Sequence, residues 1–156
     1  MDRIGVFFEI PQDYYNLKIE SLLKFINIED YKWHITTNDV MVRNDEWNHT
    51  FLEDEEFVSG PKLKEELQGK DLYPIFLNLR AYPNELTIQE IRNNPVTNLQ
   101  EFLESKCILM FVIIDCYEVA IFVKKPLYLT FLHQESLSQG YKEFRFIKAL
   151  DEWYFS

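Results

Sequence analysis

Two cysteines in 156 residues, Cys107 and Cys116, are too few for a disulfide framework. They flank a strand-like run, and about eight extended residues would hold their Cα atoms roughly 30 Å apart. A disulfide spans only about 4.4–6.8 Å, so two free thiols are expected. Glycine is equally scarce. Gly5, Gly60, Gly69 and Gly140 are too scattered to build a phosphate-cradling loop, and Walker, dinucleotide and serine-nucleophile motifs are absent. His34, His49 and His133 fall on different segments, and no His-x-x-x-His or Cys-x-x-Cys spacing nominates a metal. No cofactor is expected.

The longest apolar run, residues 107–114, falls far short of the ~20 residues of a spanning helix. The residues around Val6-Phe7-Phe8 are too short an apolar run for a signal peptide, which points to the cytoplasm. Basic patches are also missing. With 26 acidic against 16 basic side chains the net charge is −10, a field that repels nucleic acid and anionic membranes.

Aromatic rings are abundant: 13 Phe, 9 Tyr and 3 Trp. Each buries about 150–250 Å², and a chain of this length buries roughly 68–70% of its unfolded surface. A single domain, residues 1–156, therefore needs neither disulfide nor metal to be stable.

Hydrophobic periodicity then orders the elements. Residues 3–10 read as a buried strand ended by Pro11. Tyr14, Leu17, Leu22, Phe25 and Ile28 recur at helical spacing over 13–27. Residues 31–36 and 40–43 alternate around Asn38-Asp39 and predict a hairpin. Residues 44–58 read as an acidic loop, and Ser59-Gly60-Pro61 opens a helix over 62–68. Residues 72–82 form a strand whose Pro74 needs an edge or a bulge. Thr97 caps a helix reaching 106. Residues 107–114 and 117–123 form a second hairpin, its first strand apolar on both faces and therefore central. Pro126 starts a helix that Gly140 ends, and 143–147 is a last strand. This is an α+β fold with a mixed, mainly antiparallel sheet and helices on one face, compatible with two βαββα-like halves.

The densest charge run is Glu53-Asp54-Glu55-Glu56, in a stretch with no Lys or Arg. It reads first as a solvated loop. As a functional feature it would dock a basic partner, with Trp47, Phe51 and Phe57 as apolar anchors. Cys116 has acidic neighbours that disfavour a thiolate, and Cys107 reads as core. Asn78, Arg80 and Tyr82 alternate with Leu77, Leu79 and Ala81. They line either a pocket or the solvated face of the sheet, the latter being favoured.

Three segments carry a resemblance: Phe8-Glu9-Ile10-Pro11, the run from Phe76-Leu77-Asn78 to Ala81-Tyr82-Pro83, and Asp115-Cys116-Tyr117-Glu118-Val119. In that order they resemble a family of small uncharacterised proteins of Bacillus and related Gram-positive bacteria. The resemblance implies a bacterial cytoplasmic protein and carries over no functional residue. By association with small acidic proteins that neutralise basic toxins, it suggests an immunity or antitoxin-like role. The expectation is a non-enzymatic protein-binding module for a basic partner. The alternative is a small-molecule-binding protein or enzyme whose site is assembled across the sheet.

Overall fold

The computed structural model describes residues 2–11, 18–43, 49–68 and 70–155, with the backbone alone at His49. Among them the strands are β1 (Arg3–Glu9), β2 (Tyr31–Arg43), β3 (His49–Thr50), β4 (Phe57–Ser59), β5 (Asp71–Pro83), β6 (Leu109–Ile114), β7 (Glu118–Val123) and β8 (Lys142–Lys148). The helices are α1 (Ile19–Leu22), α2 (Gly60–Leu67), α3 (Ile88–Asn93), α4 (Leu99–Glu104) and α5 (Pro126–Gln139). The fold is α+β. One sheet runs β3-β2-β5-β6-β7-β1-β8, with β4 on the other end of the β2 edge. Every pairing among the described residues is antiparallel.

Local chemistry explains several boundaries. The Ser59 hydroxyl accepts the Lys62 N–H at 3.3 Å and caps α2. Thr87 and Glu90 form a reciprocal capping box on α3. Gly140, at φ 73°, ends α5 in the left-handed conformation that costs an L residue a Cβ clash. Pro74 sits beside a register shift and before β5 gains its second neighbour, since β6 pairs only from Leu77 onward. The proline thus removes no ladder bond from the sheet centre.

The expected hairpin at 31–43 is instead one strand of 13 residues. Asn38 and Asp39 stand opposite Leu77 and Phe76 of β5, itself 13 residues long. A partner of matching length supplies ladder bonds throughout, and this outweighs the turn propensity of Asn-Asp. The local conflict is absorbed as register shifts at Ile35/Thr37 and Asp39/Val40. With that hairpin goes the notion of two like halves. β1 lies between β7 and β8, remote from β2, whereas β5 lies between β2 and β6.

Smaller differences are of the same kind. The expected helix at 13–27 is described only as α1, followed by a 3-10 turn Ile28–Asp30; Tyr14 and Leu17 lie outside the described residues. Asn98, not Thr97, caps α4 by accepting the Glu101 N–H at 2.9 Å.

Both faces of the sheet are covered. On one, Phe111 and Ile113 of β6 and Leu77 and Leu79 of β5 meet Leu63 and Leu67 of α2 and Leu129 and Leu132 of α5. On the other, Met110, Val112 and Phe122 meet Ile91 of α3 and Leu99 and Phe102 of α4, with Trp153 and Phe155 packed against them. The segment holding those two rings is tied down by the Phe155 N–H, which donates to the Thr97 carbonyl at 2.9 Å.

Candidate functional site

The acidic stretch is divided by its own fold. Glu53 and Asp54 are exposed in a turn where Leu52 and Asp54 take positive φ. Glu55 pairs with Lys62 at 2.9 Å. The short strand β4 brings Glu56 beside β2, where it meets Arg92 at 2.6 Å and His34 at 3.2 Å. The Arg92 hydrogen bond holds the Glu56 carboxyl below its ordinary range. Phe51, expected as an apolar anchor, is 1% exposed and belongs to the core between sheet and helices. Its carbonyl accepts the Asn38 side-chain amide at 2.6 Å, so it presents no ring to a partner. Trp47 lies outside the described residues.

The polar face of β5 reverses the sequence expectation. Asn78, Arg80 and Tyr82 are 4%, 4% and 3% exposed. They point to the second face, where Phe155 covers the guanidinium with its ring centroid 5.9 Å from Arg80 Cζ. The sequence offered one usable signal, an arginine amid a run apolar on its alternate positions. What hides it lies at residues 153–155, far along the chain.

Arg80 Nε donates to Asn78 Oδ1 at 3.2 Å, and the Tyr82 hydroxyl is a further polar neighbour. No Asp or Glu oxygen lies within ion-pair distance of this guanidinium among the described residues. A cation withdrawn from water without a counter-ion carries a desolvation cost of several kcal/mol. Asn78 is also under-used, because its amide nitrogen meets only the Met110 sulfur at 3.9 Å, a weak acceptor.

His34 stands directly opposite Arg80 in the β2–β5 register. Its ring stacks on Phe57 with centroids 4.3 Å apart and planes 4° from parallel. Burial, helped by the nearby Arg80 and Arg92 charges, pushes its pKa below the ordinary 6.5, against the opposing pull of Glu56. The neutral ring then donates from Nε2 to Glu56, while Nδ1 is buried with no partner. Burial also raises the Tyr82 phenol and lifts the Cys107 thiol to about 11, so both stay protonated near neutrality.

Beside this row lies a cavity of about 210 Å³. Thr37 and Asn78 give it polar groups, and Phe76, Val112, Ile114 and Phe155 give it apolar walls. His34, Asn78 and Arg80 were thus considered in the sequence, but their convergence was not. No disulfide joins the two cysteines, Cys107 being buried and Cys116 half-buried. Among the described residues no group of His, Cys, Asp and Glu has metal-binding geometry, and no helix is long and apolar enough to cross a membrane.

Comparison with known proteins agrees with the resemblance drawn from the three segments. The chain is 28% identical over 144 residues to the uncharacterized protein YncE of Bacillus subtilis (strain 168), covering 92% of this chain and 90% of the relative. No solved structure matches it. A family model described as protein of unknown function (DUF2691) matches residues 3–154, and the chain belongs to that family.

Proposed function

We propose that the protein binds a small anionic molecule, with Arg80 as the charge that recognises it and Asn78 as its supporting donor. The observation that carries this reading is that Arg80 is 4% exposed and its guanidinium has no carboxylate partner among the described residues. A bound anion would offset the desolvation of that cation and gain charge-assisted hydrogen bonds. Docking of a basic protein retains less support, since Glu55 and Glu56 are engaged within the chain and Phe51 is in the core.

The test is thermal denaturation with small carboxylates and with inorganic phosphate. A ligand present at a hundred times its Kd stabilises by about 2.7 kcal/mol, or about 5–10 °C for a domain of this size. The same anions should leave Arg80→Met unmoved. A folded protein whose melting no anion raises would overturn the reading.

A further inference from the structure

We infer that the ligand is a monocarboxylate bearing one apolar ring or short branched tail, with the tail in the cavity beside Asn78. The inference rests on the anion-binding reading above and specifies its ligand. Asn78 and Phe155, two of the residues in contact with the Arg80 guanidinium, are also walls of the cavity. Its polar end is therefore the end nearest the cation. Phe76, Val112 and Ile114 are apolar walls, and the other polar groups of the lining, on Thr37, Trp153 and Tyr154, are neutral, so no second cation is present to balance a second negative charge.

Size and charge narrow the choice. The cavity of about 210 Å³ lies below the roughly 300 Å³ at which pockets for drug-sized ligands begin. At about 30 Å³ per water of liquid volume, it holds the equivalent of roughly seven waters. One ring or a branched chain of a few carbons fills that space. A single guanidinium balances a single negative charge, and its planar terminal nitrogens suit a carboxylate. Phosphoryl groups would bring a second charge to a lining that holds no Lys or Arg, with no glycine-rich loop to supply backbone donors.

Arg80 is not itself part of the cavity lining, whereas Phe155 lines the cavity and has its ring centroid 5.9 Å from Arg80 Cζ, so a carboxylate entering from the cavity reaches the guanidinium by shifting that ring. Trp153 also lines the cavity and stands 5.4 Å from Phe122. Binding should therefore change Trp153 fluorescence, a signal that Trp153→Phe removes while calorimetry continues to report the heat.

The experiment titrates the full chain with benzoate, 3-methylbutanoate, acetate, benzamide and inorganic phosphate, by calorimetry and by tryptophan fluorescence. The expected result is binding of benzoate or 3-methylbutanoate about tenfold or more tighter than acetate, phosphate or neutral benzamide. Arg80→Met should weaken the tailed acids by about tenfold or more, with Arg80→Lys in between. Equal affinity for acetate, phosphate and benzoate, all lost in Arg80→Met, would overturn the tailed acid while leaving the anion site standing. Benzamide binding as tightly as benzoate would overturn the role of charge. That comparison needs no variant, so it decides even if Arg80→Met fails to fold. Absence of binding by every probe would overturn both readings.

Discussion

β5 carries two regions of opposite character on alternate residues. Leu77 and Leu79 face α2 and α5 in an apolar interior, while on the other side Asn78 lines the cavity and Arg80 meets Phe155. Among the described strand residues, the buried polar and charged side chains, Asn78 and Arg80, fall on this second face. The first face shows what the fold requires for stability, a densely packed set of Leu, Ile and Phe. The second keeps a cation and an under-used amide where apolar side chains would satisfy packing. A stable sheet can be built without that polarity, so its presence there calls for a purpose other than holding the sheet together.

The sharpest test of the apolar face is Phe111→Ala, at a site 0% exposed. It should cost about 3–5 kcal/mol in urea melts, a large part of a typical domain's stability. A loss below about 1 kcal/mol would mean that this face is not a sealed core. The adjacent pair Leu79 and Arg80 compares the faces directly. Leu79→Ala should cost about 2–5 kcal/mol, whereas Arg80→Met should stay within about 1 kcal/mol or stabilise, because it removes a buried charge that has no carboxylate partner among the described residues. Equal losses would erase the distinction, making Arg80 as structural as Leu79.

Acid should discriminate next. The folded protein holds His34 below its ordinary 6.5, so the unfolded chain takes up that proton first. The associated stability is present above pH 6.5 and is lost as pH falls through the depressed folded value. His34→Gln should flatten melting temperature against pH in this window. The separate loss from Glu56, whose ordinary value is 4.5, should persist at lower pH. An unchanged slope near pH 6 would place the His34 ring in water. The smallest effect belongs to the exposed loop, where Glu53→Gln with Asp54→Asn should change stability by no more than about 0.5 kcal/mol by the same melts.

Elements set by neighbouring residues were legible. Ser59-Gly60-Pro61 announced α2, Gly140 ended α5, and the apolar run at 109–114 forms a strand with neighbours on both sides. Features set by distant residues were not. Asn38-Asp39 carries genuine turn chemistry, and only the length of β5 shows why the chain continues straight through it. Asn78, Arg80 and Tyr82 read as an ordinary solvent face because alternation cannot show that this face is buried, with Phe155 against Arg80. Phe51, inside an acidic stretch, looked available until the long β2 strand drew it inward, with its N–H donating to the Val40 carbonyl at 2.8 Å. The candidate site therefore existed in the sequence as separate residues, and the pairing of β2 with β5 is what gathers them.

The position of β1 also sets a timetable. This strand is made before the other strands of the sheet, yet its neighbours are β7 and β8, residues 118–123 and 142–148. A nascent chain on the ribosome can pair β2 with β5 and then β6 while Val6-Phe7-Phe8 still has no place to go. Closing so long a loop slows folding, and an unpaired apolar strand invites association with other chains meanwhile. Premature termination before β7 would leave that strand permanently exposed, a sticky end for quality control to recognise. Moving β1 to follow β8 through a circular permutation would shorten the wait and speed refolding, without altering a single contact in the finished sheet.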